Sequence, residues 1–156
     1  MWRMNISDEN VERETDKAFI SIIGTPDCLN NYLHEETYHW FQKDTDNVLN
    51  MEFDDVNDDQ FLYKGTTFLG ISEDQAKKCV EFIERNKGRN FYIHCRAGKS
   101  RSQAICRFIL DMYGEEYGYT EKESCLSSNP PKTPNIRVLT MLKREFYKLH
   151  NMFEEK

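Results

Sequence analysis

Nothing in this chain of 156 residues constrains its fold more than the run Asn90-Phe91-Tyr92-Ile93-His94-Cys95-Arg96-Ala97-Gly98-Lys99-Ser100-Arg101-Ser102. Phe91, Tyr92 and Ile93 favour a strand. From Ser102 to Met112 the apolar residues Ile105, Phe108, Ile109 and Met112 recur at helical spacing. The loop between them must therefore feed a helix N-terminus, where unpaired amides and the helix dipole attract an anion. Gly98 lets the backbone turn so that successive N–H groups converge into an anion nest.

The side chains in the loop fit that field. A thiol at a helix N-terminus among cations gives up its proton more readily than a free one, so Cys95 is expected to act as a thiolate nucleophile. Arg101 can present a planar fork to two phosphoryl oxygens, which a lysine cannot do in the same way. Ser102 is placed to donate a hydrogen bond to the sulfur when the sulfur departs. Arg96, Ala97, Gly98, Lys99 and Ser100 complete a predicted phosphate cradle with Arg101. Arg96 and Lys99 add positive charge in or beside it, although Lys99 can also serve through its backbone amide while its side chain meets solvent.

The sequence His94-Cys95-Arg96-Ala97-Gly98-Lys99-Ser100-Arg101-Ser102 resembles the signature loop of the cysteine-dependent protein tyrosine and dual-specificity phosphatases. That signature is His-Cys, five residues, Arg, then Ser or Thr. The resemblance runs from about Ala18 to Phe146. Ile20-Ser21-Ile22-Ile23-Gly24-Thr25-Pro26, Val48-Leu49-Asn50-Met51-Glu52-Phe53-Asp54-Asp55-Val56, and Pro134-Asn135 with the helix after it are similar to small bacterial and phage-type members. It implies that Cys95 is the nucleophile, that Arg101 binds the phosphoryl group, that Ser102 assists turnover and that His94 orders the loop.

Such a reaction needs a proton donor for the leaving oxygen, and the same group can then activate water. Two acidic steps follow apolar sequence: Asp54-Asp55 and Asp58-Asp59. The family places its acid just past a parallel strand, which by resemblance selects Asp55, with Asp54 second. The competing reading of either residue is a turn or helix cap. Rhodanese-type sulfurtransferases share a similar cysteine loop, but generally with one residue fewer before the second arginine, and the five residues here suit phosphate. Asp44-Thr45-Asp46-Asn47-Val48 matches the nucleophile pattern of metal-dependent aspartyl phosphatases of the haloacid dehalogenase type. No good strand precedes it, however, and a solvated turn is the preferred reading.

The rest of the chain reads as alternating strands and helices, which predicts a single α/β domain over residues 1–156. Its mostly parallel central sheet would carry helices on both faces. Strands are expected at Ala18–Ile23 and Val48–Phe53, with a short helix at His34–Phe41. Ser72-Glu73-Asp74-Gln75 has the form of a capping box opening a helix to about Asn86. A helix over Thr120–Leu126 and a loop over Ser127–Pro134 precede a last helix. Asn135 caps it, and Ile136, Leu139, Leu142 and Phe146 form its apolar stripe. Asn57–Thr67 is assigned to the rim of the site.

Composition sets the remaining expectations. No apolar run approaches a membrane span, and the polar start Met1-Trp2-Arg3-Met4-Asn5 does not resemble a signal peptide. Five cysteines (Cys28, Cys79, Cys95, Cys106, Cys125), lacking metal-ligand spacing and including an exposed catalytic thiol, suggest a reducing cytoplasm. Cys79 or Cys125 could guard Cys95 through a reversible disulfide, although a core or helix residue is the simpler reading of each. No metal or other cofactor is expected, and the protein is expected to be a monomer. A net charge of −6 disfavours docking on an anionic bilayer or RNA. The expected partner is therefore a phosphorylated protein, phosphotyrosine above all, with phosphoserine and phosphothreonine as further targets. Phosphoinositide phosphatase and RNA 5′-triphosphatase are the alternatives on the same scaffold, and a phosphate-binding pseudophosphatase is the non-enzymatic one.

Overall fold

The computed structural model describes residues 16–27, 41–95, 100–121 and 133–151. It shows an α/β fold. Strands β1 (Lys17–Ile23), β2 (Val48–Glu52) and β5 (Asn90–His94) form a parallel sheet in the order β2-β1-β5. On the central strand, Ile20 pairs with Leu49 on one side and Ile93 on the other, and Ser21 pairs with His94. Flanked by strands and covered by other elements, β1 can be apolar at successive positions rather than alternating. Ala18, Phe19, Ile20 and Ile22 are all buried.

A separate antiparallel hairpin, β3 (Gln60–Tyr63) and β4 (Thr66–Leu69), follows β2. Its two-residue turn places Lys64 and Gly65 at φ 49° and 79°, the mirror-image geometry that suits hairpin twist. Just past it, a Cβ on Gly70 would lie 2.2 Å from the Asp58 carbonyl oxygen. Only glycine allows that close approach, which closes the base of the hairpin. The sequence reading assigned this stretch to the rim without recognising strands in it.

Helix α1 (Glu73–Asn86) opens on the expected capping box. Gln75 N–H donates to Ser72 Oγ at 3.1 Å and Ser72 N–H donates to Gln75 Oε1 at 2.9 Å. Its apolar face buries Ala76, Cys79, Val80, Phe82 and Ile83. Cys79 is a core residue, and burial pushes its thiol up to about 12. The turn into β5 is fastened by Tyr119, whose hydroxyl accepts from Gly88 N–H at 2.8 Å and donates to the Arg89 carbonyl at 2.7 Å.

Helix α2 (Arg101–Tyr117) buries Ala104, Ile105, Phe108, Ile109 and Tyr113, and ends at Gly118 with φ 67°. Helix α3 (Ile136–Leu149) packs against α1 and α2. Asn135 caps it as expected, with Oδ1 accepting from Val138 N–H at 2.9 Å. Each large apolar side chain fully buried in this core contributes roughly 1.5–3 kcal/mol. Phe53, Phe82, Phe108, Ile105 and Leu142 are among them.

Several boundaries shift from the sequence expectation. Strand β2 stops at Glu52, and Phe53 continues only through one hydrogen bond from its N–H to the Ile23 carbonyl at 3.1 Å. Ile136 is 65% exposed rather than buried, because the packed stripe of α3 runs through Val138, Met141, Leu142 and Glu145. Leu139 and Phe146 border the stripe, half-buried. Phe41 is buried outside any helix, 5.2 Å from the Phe19 ring, and residues 34–40 of the expected short helix lie outside the described residues. Thr120 and Glu121 are not helical. Residues 122–126 of that expected helix, positions 127–132 of the loop, and Cys28 and Cys125 also lie outside the described residues. No helix among the described residues is long and apolar enough to cross a membrane.

Candidate active site

Strand β5 ends at His94, Cys95 follows it directly, and α2 starts at Arg101. The sulfur therefore lies at the C-terminal edge of the parallel sheet, where open α/β sheets bind ligands. Arg96, Ala97, Gly98 and Lys99, the expected heart of the phosphate cradle, lie outside the described residues. The ends of the loop are described, and they converge. Cys95 Sγ and Ser102 Oγ are 3.2 Å apart, in hydrogen-bond contact, and both residues are buried. Cys95 is 5% exposed, which corrects the expectation of an exposed thiol.

His94, the last residue of β5, is tied to the central strand. Its Nε2 lies 2.7 Å from Ser21 Oγ on β1, its partner in the strand register. Arg101 is 7% exposed, and its Nη1 donates to the Phe53 carbonyl at 2.8 Å. That bond uses one of the five N–H donors of the guanidinium and ties it to the segment carrying Asp54 and Asp55. The first turn of α2 contains no acidic side chain to offset the positive end of its dipole.

The two aspartates differ sharply. Asp54 is 2% exposed and accepts three hydrogen bonds: from Thr25 N–H at 2.9 Å, Thr25 Oγ1 at 2.6 Å and Leu69 N–H at 2.8 Å. Its own N–H donates to the Leu69 carbonyl at 2.7 Å. Asp54 thus clamps the end of β1 to the base of the hairpin. Asp55 is exposed, and its Oδ1 accepts from Ser100 Oγ at 2.7 Å and from Asn135 Nδ2 at 2.8 Å. It thus contacts Ser100, the residue that precedes α2. Asp58 is exposed, and Asp59 forms an ion pair with Arg137, whose guanidinium also bonds the Ile71 carbonyl.

Two contacts were not anticipated. The Ser100 side chain leaves the α2 N-cap unfilled and bonds Asp55. Asn135 was read as a helix cap and, with Pro134, as part of the family resemblance, but not as a partner of Asp55. No local pattern signals either contact, since the partners lie 45 and 80 residues apart. A cleft of about 880 Å³ opens between the starts of α1 and α3, lined by Asn57, Asp59, Glu73, Asp74, Arg137 and Arg144 among others.

The rival aspartate motif falls into a turn leading to β2. Asp44 and Asp46 are exposed, and Asp44 Oδ1 accepts from Asn50 N–H at 2.8 Å. Among the described residues no group of three or more His, Cys, Asp or Glu side chains is arranged to hold a metal ion. The chain matches no protein-family model, no curated protein and no solved structure.

Proposed function

We propose that this protein is a phosphomonoester hydrolase of the cysteine-dependent protein tyrosine and dual-specificity type, working without a metal through a phosphocysteine intermediate. The observation that carries the reading is the contact of Cys95 Sγ with Ser102 Oγ in the first turn of α2, with Asp55 bound to Ser100 at the start of the same helix. Arg101 is anchored to the Phe53 carbonyl, two residues before Asp55.

In the first step the Cys95 sulfur attacks phosphorus and the phosphorus–oxygen ester bond breaks. Asp55, protonated on Oδ2, hands its proton to the departing oxygen, while Oδ1 stays engaged by Ser100 and Asn135. In the second step water attacks phosphorus and gives a proton to the Asp55 carboxylate. The sulfur–phosphorus bond breaks, and Ser102 O–H donates a hydrogen bond to the sulfur as it regains negative charge. Arg101 and the amides at the start of α2 offset the charge on the phosphoryl oxygens, a task that metal ions perform in other phosphatases. His94 holds the start of the loop through Ser21.

The substrate favoured by the net charge of −6 is a phosphorylated protein, phosphotyrosine first. The test is phosphate release from phosphotyrosine, phosphoserine and phosphothreonine peptides, phosphoinositides and a 5′-triphosphorylated RNA, with Cys95→Ser as the blank. Release chiefly from lipid or RNA would transfer the substrate to those classes. Tight phosphopeptide binding without any release would make the protein a binding module.

A further inference from the structure

The hairpin of β3 and β4 has one filled edge and one open edge. Gly70 N–H donates to the Asp59 carbonyl at 3.1 Å, so Asp59 and, by alternation, Phe61 and Tyr63 turn their peptide groups toward β4. Thr67 and Leu69 on β4, and Gln60 and Leu62 on β3, therefore turn theirs outward. On the β4 side carboxylates take up these groups. Thr67 N–H donates to Asp27 Oδ2 at 2.6 Å, and Leu69 N–H donates to Asp54 Oδ2 at 2.8 Å. On the β3 side, the peptide groups of Gln60 and Leu62 meet no partner among the described residues. Edge strands are normally guarded by a charge, a proline or a covering element. Strand β3 carries neither charge nor proline, and all four of its residues are exposed, Leu62 to 67%. Phe61 and Tyr63 stack on one face with ring centroids 6.3 Å apart, while Leu62 and Leu69 stand exposed on the other.

We propose that this edge pairs with the β3 edge of a second copy of the chain across a two-fold axis. Two-fold symmetry makes the paired strands antiparallel. With Gln60 opposite Leu62 of the second copy, each such pair exchanges both of its N–H···O bonds, and Phe61 faces its own counterpart. The same register sets Asp58 of each copy across from Lys64 of the other, and both residues are exposed. Opposite charges across a strand pair stabilise it, and like charges oppose it. A shift of two residues either way brings Gln60 or Leu62 opposite itself and separates Asp58 from Lys64. These matched ends single out a second copy over an unrelated extended peptide. One short strand buries less than the roughly 1,000 Å² of a stable complex, so the dimer is weak and forms at high concentration. It stands apart from the phosphatase reading, and it departs from the monomer expected of the sequence.

The experiment is sedimentation velocity on the full chain from about 10 μM to about 1 mM. Wild type should move from monomer toward dimer across this range. Leu62→Pro removes an outward N–H where an edge strand tolerates proline, and should raise the dimer dissociation constant at least about ten-fold. Asp58→Lys and Lys64→Glu each bring like charges together at both ends, and each alone should weaken the dimer comparably. Mixed in equal amounts, these two variants put opposite charges back at both ends and should form a heterodimer. Thermal melting checks that each variant is folded, and the mixture decides the matter should Leu62→Pro fail to fold. A wild type that is monomeric throughout, charge variants that dimerise as wild type does, or a mixture that stays monomeric would overturn the inference. Hydrogen exchange at the Leu62 amide that slows only when a phosphotyrosine peptide is added would give the edge to a foreign chain instead.

Discussion

Asp54 and Asp55 are neighbours in the chain with opposite surroundings: Asp54 is buried under three donors, while Asp55 is exposed and bound to Ser100 and Asn135. Their substitutions should therefore separate cleanly. In Asp54→Asn, the introduced amide must turn its NH2 group toward donors already aimed at that site. Leaving one such group unsatisfied costs about 1–3 kcal/mol, so the urea midpoint should fall. Asp55→Asn should melt close to wild type, bind substrate normally and hydrolyse esters of weakly acidic alcohols slowly. A crippled Asp54→Asn that keeps full stability, beside a fully active Asp55→Asn, would reverse the assignment.

Ser102 should act in the second step. With Oγ 3.2 Å from Cys95 Sγ, its hydrogen bond strengthens as the sulfur regains charge. Hydrogen bonds to charged groups are worth about 1.5–3 kcal/mol, or roughly 10- to 150-fold in rate. Stopped-flow traces of Ser102→Ala on a chromogenic aryl phosphate should show a burst of phenol followed by a slow steady state. Proportional slowing of both phases would place Ser102 in the first step instead.

A second network, away from the candidate site, adds a pH-dependent contribution to stability. Glu84 on α1 accepts from Tyr113 Oη on α2, from Lys87 Nζ at 2.9 Å, and contacts His150 Nε2 at 3.3 Å. Burial alone pushes the Glu84 carboxyl up. The hydrogen bonds from Tyr113, Lys87 and His150, with the Lys87 charge, outweigh burial and hold it below the usual value of 4.5. A depressed folded pKa adds stability above the unfolded value, and that stability is lost as pH falls through the folded one. The stability gap between wild type and Glu84→Gln should be full at pH 7 and close as the solution is acidified below about 4.5. Urea titrations at a series of pH values measure it, and a gap independent of pH would refute the linkage.

The cysteines should differ in reactivity. With the Cys79 thiol pushed up to about 12 by burial, roughly one part in ten thousand is thiolate at pH 8. Brief iodoacetamide treatment of the native protein, followed by peptide mass analysis, should leave Cys79 unmodified. Peroxide should produce no disulfide between Cys79 and Cys95. Rapid Cys79 labelling would show that α1 opens far more readily than its packing implies.

What the sequence disclosed follows the range of each signal. The Ser72–Gln75 capping box and the Asn135 cap depend on residues three apart, and both stand as read. The apolar runs of β1 and β2 are dense enough to place those strands within a residue. The hairpin escaped notice because all four β3 residues are exposed, so it lacks the alternation that marks a half-buried strand. Its Lys64-Gly65 turn also departs from the usual Asn-Gly or Asp-Gly pattern. On α3, apolar spacing alone could not fix which edge of the stripe faces inward, so Ile136 was drawn into the core and Glu145 was missed. The choice between Asp54 and Asp55 rests on contacts with residues 15 to 80 positions away, which no local pattern encodes.

The central claim is that Cys95 attacks phosphorus. Its most direct test is phosphate release from a phosphotyrosine peptide in chelator, comparing wild type with Cys95→Ser. The account predicts steady release by wild type and none above background by Cys95→Ser. Release that persists in Cys95→Ser, or that appears only when a metal ion is restored, would contradict it.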